Sequence, residues 1–304
     1  KGSACGEDPM PRRPGLVGRW LAALRLPTLF ASATSIISGA AACPTRIDRG
    51  WLLLTFVGLG SLQVAANLIN DYGDYKKGAD TAERLGPPRV IAMGWVSPQE
   101  IRRAIDYVLY FELVVAIPLC MRGGWKVLLL GLIGVAGAIW YTTGDRSLAY
   151  LGLGELAVFL LFGPGAVYGT MLVQTKGQGG FAPAVVPSTI AGLLVSAILV
   201  VNNLRDIPTD SNANKATLAT RIGPGWTRNM YTAMILVPYA LVVITPRSRL
   251  HPGWGYALLT LPFGVAVIAM VRTREGRALN KCLGMTAALG AAFASWALYG
   301  ASVP

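Results

Sequence analysis

Two clusters of acidic and amide side chains close apolar stretches of the sequence, and both contain an Asn-x3-Asp pair. Their members are Asn67, Asn70, Asp71, Asp74 and Asp80 in the first cluster and Asn202, Asn203, Asp206 and Asp210 in the second. Residues three and four positions apart share one face of a helix, so each cluster can project its oxygens together. Carboxylate and amide oxygens suit Mg²⁺, which is often held jointly with substrate phosphates. If the clusters face each other, the chemistry they indicate is metal-assisted reaction of a phosphorylated substrate.

Basic side chains follow each cluster. They are Lys76, Lys77, Arg84 and Arg89 after the first, and Arg205, Lys215, Arg221 and Arg228 within or after the second. Cations beside a metal can neutralise the charge of a leaving phosphate. The general excess of Lys and Arg in cytoplasmic loops is an alternative reason for part of this set.

The elements that must position these clusters are membrane helices. Of the 304 residues, 14% are charged and 53% hydrophobic, with a mean hydropathy of +0.50, whereas soluble domains are about 25% charged. This composition excludes a water-soluble globule, a disordered chain and a disulfide scaffold. The four cysteines show no metal-ligand spacing, and the single histidine, His251, lies in a predicted loop. Any chemistry therefore falls to carboxylates, amides and bound ions.

Nine apolar stretches are long enough to cross a bilayer as helices. They cover residues 20–42, 51–73, 104–121, 125–143, 149–174, 183–204, 229–245, 254–271 and 282–302. With the N-terminus inside, 20 Lys and Arg lie on the inner side and 7 on the outer side, as the positive-inside rule requires. Both acidic clusters then reach the inner surface. The net charge of +12 reflects topology and contact with membrane lipids, and no nucleic-acid partner is expected.

Other interpretations of the clusters remain open at this point. Asp74, Asp80 or Asp210 could each be an ordinary solvated or capping residue. A cation-coupled transporter is a further alternative, because acids in membrane helices are costly and usually functional. A transporter, however, favours acids at mid-span rather than at the cytoplasmic ends of helices.

The order of these residues resembles the UbiA superfamily of intramembrane prenyltransferases, in particular the 1,4-dihydroxy-2-naphthoate polyprenyltransferase branch of menaquinone synthesis. The resemblance runs from about Arg25 to Gly223. It rests on Asn70-Asp71-Tyr72-x-Asp74-x3-Gly78-x-Asp80, Arg84-x-Gly86-Pro87-x-Arg89, Tyr141-Thr142, Gly152-Leu153-Gly154-Glu155 and Asn202-Asn203-x-Arg205-Asp206-x3-Asp210-x4-Lys215. One departure is Gly78, which stands where the wider superfamily often has a third Asp.

The resemblance implies an all-α integral membrane fold of nine transmembrane helices around a central cavity. It implies one membrane domain over 1–304, with a cytoplasmic segment at 1–19 and two cytoplasmic cap loops, 74–103 and 207–228, that carry the active site. It also implies two Mg²⁺ ions bound with the diphosphate of a polyprenyl donor. The metal ligands it implies are Asn67, Asn70, Asp71, Asp74, Asn202, Asp206 and Asp210.

Further roles follow from the resemblance and from the residue types. The residues expected to bind the diphosphate are Lys215, Arg89, Arg84 and Arg205. Glu155 is expected to act with the aspartates in catalysis, by positioning the acceptor or removing a proton. Candidates to face the acceptor or an allylic cation are Tyr72, Tyr141, Tyr168, Arg25 and Asp80.

The implied reaction is Mg²⁺-dependent transfer of a polyprenyl group to 1,4-dihydroxy-2-naphthoate, with decarboxylation, to give demethylmenaquinol or demethylmenaquinone. A cavity in the membrane closed by a loop would keep water from the allylic cation. A UbiA-type enzyme with another acceptor, 4-hydroxybenzoate or homogentisate, is the second hypothesis, and a transporter or a non-catalytic scaffold the third. The expected location is the plasma membrane of a bacterium, with the N-terminus and the active-site loops in the cytoplasm.

Overall fold

The computed structural model describes residues 13–78, 85–144, 146–213 and 215–302, and these residues form helices and connecting turns without a strand. The α-helices are α1 (Leu16–Leu24), α2 (Leu29–Ala41), α3 (Arg49–Lys76), α4 (Pro98–Gly123), α5 (Trp125–Thr142), α6 (Gly154–Leu160), α7 (Ala166–Gln174), α8 (Val185–Asn212), α9 (Leu218–Ile244), α10 (Leu261–Thr273) and α11 (Leu279–Ser302). In the described part of the chain, eight helical segments are long and apolar enough to cross a bilayer, and the bent pair α1 and α2 makes up to nine. The predicted all-α membrane architecture is confirmed.

The first predicted span, 20–42, is broken in the structure. α1 and α2 meet at 49°, and Arg25 ends α1 in the left-handed conformation, with φ 50°. A short 3₁₀ helix, Leu26–Thr28, follows. The left-handed residue therefore interrupts the helix here, and the corner points Arg25 toward α3.

Helices α3 and α8 are longer than the apolar stretches that predicted them. Each has 28 residues, which corresponds to a length of about 42 Å, whereas the hydrocarbon core of a bilayer is about 30 Å thick. α8 continues through Pro208 to Asn212, so Asp206 and Asp210 are both helical. The acids at the C-terminal ends of the two helices can therefore reach the membrane interface.

The predicted cap loop 207–228 is mostly helical, which corrects the sequence-based prediction. α9 begins at Leu218, where the Thr217 hydroxyl caps the helix by accepting a hydrogen bond from the backbone N–H of Thr220 at 3.3 Å. Gly223 then kinks α9, with φ 77°. The described residues of this connection that lie outside a helix are then 213 and 215–217.

The predicted cap loop 74–103 is also shorter than expected. α3 extends to Lys76, and α4 begins directly after Ser97, which forms a capping box with Glu100. The described part of the loop between them, 85–97, buries Val90 and Trp95 against α1, α3 and α4. This loop therefore covers the C-terminal end of α3.

Close helix packing relies on small residues, as is usual in membranes. A Cβ atom at Gly39 of α2 would lie 2.5 Å from the carbonyl oxygen of Val167, and one at Gly163 would lie 2.5 Å from that of Ser188. Buried apolar side chains form one cluster among α2 and α8 to α11 and a second among α1, α3, the 85–97 loop and α4. The acids of α3 and α8 therefore belong to different halves of the bundle.

Candidate active site

Asp71 and Asp74 lie one turn apart on the buried face of α3 and share a guanidinium. They are only 1% and 4% exposed. Arg89 of the 85–97 loop donates from Nη2 to Asp74 Oδ2 at 2.8 Å and from Nη1 to Asp71 Oδ1. Arg25, at the corner between α1 and α2, donates to the same oxygen of Asp71. Three elements thus meet in one charged network.

The two asparagines of the first cluster join α3 to its neighbours. Asn67 donates from Nδ2 to the carbonyl oxygen of Leu24 at 3.0 Å and to the Thr28 hydroxyl at 2.8 Å. Asn70 Oδ1 accepts a hydrogen bond from the Thr142 hydroxyl at 2.9 Å. In this arrangement both amides fix the corner between α1 and α2 and the end of α5 around the acids.

The second cluster forms a similar network at the end of α8. Arg205 binds Asp206 in bidentate fashion, from Nε at 2.7 Å and from Nη2 at 2.6 Å, and also donates to Asn202 Oδ1 at 2.8 Å. Lys215, in the link after α8, lies 3.6 Å from Asp210 Oδ1. Arg205 is 1% exposed, so its charge is compensated inside the protein.

Asn280 at the start of α11 connects the second network to the loop after α3. Arg205 donates from Nη1 to Asn280 Oδ1 at 2.6 Å, and Asn280 donates to the carbonyl oxygen of Leu85 at 3.1 Å. The loop packs so closely that a Cβ atom at Gly86 would lie 2.6 Å from Arg205 Nη2. The ends of α3 and α8 therefore lie on the same side of the bundle.

The acids of the two clusters interact electrostatically. Asp210 interacts with Asp206 of its own cluster and, more weakly, with Asp74 of the other. The phenol of Tyr141, at the end of α5, lies within electrostatic range of Asp74, Asp210 and Glu155. The structure therefore brings together the two acidic clusters and two of the residues predicted to act beside them.

Glu155 occupies the first turn of α6 and is 5% exposed. Its Oε1 atom accepts a hydrogen bond from Asn203 Nδ2 at 2.8 Å. Within the described residues, its Oε2 atom has no hydrogen-bond partner. Asn203 thus orients a buried carboxylate that keeps one oxygen available.

Segment 143–153, of which the structure describes all but residue 145, lies between α5 and α6 and contacts the lysines that follow α3 and α8. Lys77 donates from Nζ to the carbonyl oxygen of Gly144 at 2.8 Å and to the Ser147 hydroxyl at 2.9 Å. The same nitrogen lies 4.0 Å from the centre of the Tyr150 ring, and Lys215 Nζ lies 5.7 Å from that centre. The sequence suggested Lys77 only as one of several loop cations, and its position directly after the acid series was the available signal. Tyr150 carried no comparable signal.

The sequence model of the UbiA prenyltransferase family matches residues 31–289. The chain belongs to this family. It is 33% identical to the 1,4-dihydroxy-2-naphthoate octaprenyltransferase of Escherichia coli (strain K12), over 79% of this chain and 80% of that protein. It is also 33% identical to the protein of the same name from Mycobacterium tuberculosis (strain ATCC 25618 / H37Rv), over 92% and 94%. A solved UbiA homologue from Archaeoglobus fulgidus, bound to GPP and Mg²⁺, shares the fold with a TM-score of 0.68, at 14% identity over 94% of this chain and all of that chain.

Three predicted site residues of this prenyltransferase lie away from the acids or outside the described residues. Tyr72 packs against the apolar cluster of α1, α3 and the 85–97 loop, with Lys76 Nζ 4.9 Å from its ring centre. Helical geometry explains this position, because neighbouring residues point about 100° apart. Asp80 and Arg84 lie outside the described residues.

The suggestion that Tyr168 faces an allylic cation is wrong. Its hydroxyl donates to the carbonyl oxygen of Gly179 at 3.0 Å. Gln174, at the end of the same helix, accepts a hydrogen bond from the backbone N–H of Asp48 at 2.9 Å, and Asp48 caps the N-terminal end of α3. Tyr168 therefore lies toward the end of the bundle opposite to the acids.

The oxygens present fit a hard divalent cation that binds together with a phosphate ligand. Asp74 Oδ1 and Asp210 Oδ2, one from each cluster, are buried and have no hydrogen-bond partner in the described part of the chain. Across those same residues, no three His, Cys, Asp or Glu side chains are grouped as a ready-made metal site. Mg²⁺ keeps several waters and takes few protein ligands when phosphates supply the others, so a sparse pair of carboxylates is suitable.

Proposed function

We propose that this prenyltransferase transfers a polyprenyl group from a polyprenyl diphosphate to 1,4-dihydroxy-2-naphthoate, with decarboxylation, to give demethylmenaquinol and, after oxidation, demethylmenaquinone. The acceptor is supported by the names of the two relatives, which match over most of both chains. The observation that carries the site is the convergence of Asp71 and Asp74 with Asp206 and Asp210 at one end of the bundle.

The donor diphosphate binds between the two clusters in this proposal. Mg²⁺, held by Asp74 and Asp210 and by Asp71 and Asp206 once their arginines move to phosphate, would supply Lewis-acid stabilisation of the leaving group. Lys215 contacts the phosphate oxygens directly. Arg89 can do the same, because guanidinium binds phosphate as well as carboxylate in bidentate fashion.

The reaction breaks the allylic C–O bond, and the diphosphate leaves with the electron pair. The ring carbon that carries the carboxylate forms the new C–C bond. The bond to the carboxylate then breaks, CO₂ leaves, and its electron pair restores the aromatic ring. Glu155 Oε2 accepts a proton from an acceptor hydroxyl during attack and returns it afterwards, while Tyr141 offers its ring face to the allylic cation.

The chain must also keep water from the allylic cation. The 85–97 loop is suited to this task, because its own side chains Val90, Trp95 and Val96 are buried while Arg89 reaches the acids. Its contact with Arg205 through Asn280 closes the loop onto the second cluster as well.

We place this end of the bundle on the cytoplasmic side of a bacterial plasma membrane. The support is the asymmetry in the topology predicted from the sequence, which puts 20 Lys and Arg on the inner side and 7 on the outer side. Such an orientation gives the water-soluble naphthoate direct access from the cytoplasm and lets the product leave into the bilayer.

The test uses the purified full chain, a labelled polyprenyl diphosphate, Mg²⁺ and each aromatic acid in turn, with products identified by mass. Asp71→Asn and Asp206→Asn should abolish turnover while the protein stays monodisperse. Asp106→Asn is the matched control, because Asp106 pairs with Arg102 on the exposed surface of α4, and it should remain active.

Two results would contradict the proposal in different ways. Retained turnover in both cluster variants would remove the metal and diphosphate site. Preference for 4-hydroxybenzoate or homogentisate over the naphthoate would leave the site in place and replace the acceptor.

A further inference from the structure

Two lysines from distant parts of the chain converge on one aromatic ring beside the acids. Lys77 follows α3, Lys215 follows α8, and Tyr150 lies in segment 143–153. The ammonium nitrogens lie 4.0 Å and 5.7 Å from the centre of the Tyr150 ring. The two charges are therefore within about 10 Å of each other, close enough to repel.

The surroundings explain why an anion would need these two cations. The C-terminal ends of α3 and α8 carry negative partial charge from the helix dipole, and both ends also carry aspartates. A diphosphate approaching this region meets repulsion unless positive charge faces it. The face of an aromatic ring attracts cations, so Tyr150 can hold both ammonium groups near each other before the anion arrives.

Hydrogen bonds position the ammonium group of Lys77. Its Nζ atom donates to the carbonyl oxygen of Gly144 and to the Ser147 hydroxyl. These two partners are neutral groups. Segment 143–153 thereby positions this charge toward the side where Lys215 contacts Asp210.

We propose that Lys77 binds the diphosphate of the donor together with Lys215, and that Tyr150 positions the two ammonium groups. The inference rests on the proposed function, since it names a donor-binding residue of the same site. Charge-assisted hydrogen bonds to phosphate contribute more than neutral ones, so removal of Lys77 should weaken diphosphate binding about ten- to hundredfold.

The experiment measures binding of inorganic pyrophosphate to the purified full chain with Mg²⁺ by calorimetry, next to steady-state kinetics. Lys77→Gln should raise the Kd for pyrophosphate and the KM for the prenyl diphosphate, with the KM for the naphthoate unchanged. Lys77→Arg should restore most of the affinity. Lys76→Gln is the matched control, because Lys76 is the preceding residue and lies over Tyr72 instead; it should match wild type.

Variants of the ring separate positioning from simple packing. Tyr150→Phe keeps the aromatic face and should retain affinity, whereas Tyr150→Leu should lose about tenfold. Thermal unfolding of each variant checks that the fold is intact. Ser147→Ala, which removes one partner of Lys77 but no charge, should change pyrophosphate binding less than Lys77→Gln does.

Equal pyrophosphate affinity in Lys77→Gln and Lys76→Gln would overturn the inference. So would equal losses in Lys77→Gln and Ser147→Ala, since these would show that Lys77 only anchors the segment. Because pyrophosphate binding needs no acceptor, a wild-type protein that binds pyrophosphate but does not prenylate the naphthoate would contradict the proposed function alone.

Discussion

The four aspartates of the site are not equivalent. Asp71 accepts hydrogen bonds from Arg25 and Arg89, and Asp206 is bound in bidentate fashion by Arg205. A buried charge without a partner is strongly destabilising, so these ion pairs allow the acids to be buried before any ligand arrives. Asp74 and Asp210 each keep one carboxylate oxygen for a later partner. Before any ligand binds, arginines thus balance the negative charge of Asp71 and Asp206, while Asp74 and Asp210 still offer oxygens to a cation.

Glu155 differs from the aspartates because its partner is a neutral amide. Glu155→Gln keeps the hydrogen bond to Asn203 through the amide oxygen but cannot accept a proton. We expect kcat to fall about 10²- to 10⁴-fold, the usual contribution of a general base. The binding of pyrophosphate should stay the same, because Glu155 does not contact the diphosphate in the proposed arrangement.

Single-turnover kinetics with a saturating donor measure this effect. Asn203→Asp is a useful companion variant, because it places a second carboxylate beside Glu155 and should also slow turnover. If Glu155→Gln retained the wild-type rate, Glu155 would be assigned to packing at the start of α6, and proton transfer would have to involve another group.

At the scale of helices, apolar length predicts where spans exist but not where they end. Nine stretches were predicted, and eight segments with one bent pair are found in the described residues. The corner at Arg25 and the continuation of α8 past Pro208 depend on local backbone geometry and tertiary packing, which hydropathy does not report. The sequence did contain the signal for the start of α4, because Ser97 and Glu100 form a capping box.

A half-buried polar pair between two membrane helices was not anticipated either. The Ser61 hydroxyl of α3 donates to Glu112 Oε2 of α4. The spacing of either residue within its own helix gives no sign of the other. Pairings between helices become visible only when the faces of both helices are known.

The kink in α9 gives a prediction at this scale. Gly223 has φ 77° and ψ 169°, a region that is essentially restricted to glycine and costs other residues about 1–3 kcal/mol. No atom lies within 4 Å of a Cβ built at this position, so Gly223→Ala should lower the free energy of unfolding by that amount through backbone strain alone. Chemical denaturation in a mild detergent measures the change.

Gly225→Ala is the matched control for this effect. Gly225 also has no atom within 4 Å of an added Cβ, but its φ is not positive. Alanine favours a helix over glycine by up to about 1 kcal/mol, so this variant should be neutral or slightly stabilised. If the two substitutions changed the free energy of unfolding equally, the left-handed conformation at Gly223 would not be needed in the folded protein.

At the scale of the whole molecule, the site belongs to the contact between two halves of the bundle. Each half has its own buried apolar cluster, and each contributes one pair of acids. The motifs were sufficient to predict these acids, because they lie close together in the sequence. Asn280, which joins Arg205 to the loop after α3, could not be predicted, because its role depends on α11 packing beside α8. The same holds for Tyr150, because its two lysine neighbours follow α3 and α8.

The distribution of charge over the molecule predicts its orientation. The site end carries most of the Lys and Arg residues, and the opposite end holds Asp48 and Arg122, which pair at 3.2 Å. Cys43 lies near that opposite end, in the connection before α3, and Ala278 lies exposed between α10 and α11 at the site end. Since basic loops stay in the cytoplasm, the two positions should be accessible from opposite sides of the membrane.

A membrane-impermeant maleimide applied to intact bacterial spheroplasts tests this orientation. In a chain with Cys5→Ser and Cys120→Ala, the native Cys43 should be labelled without lysis. With Cys43→Ser and Ala278→Cys added, labelling should require lysis, because the reagent must then reach the cytoplasmic face. Cys282 can remain, since it is fully buried. The reverse pattern would place the acids outside the cell, away from the cytoplasmic supply of prenyl diphosphate and naphthoate that the proposed reaction needs, so this labelling experiment tests the topology and the function together.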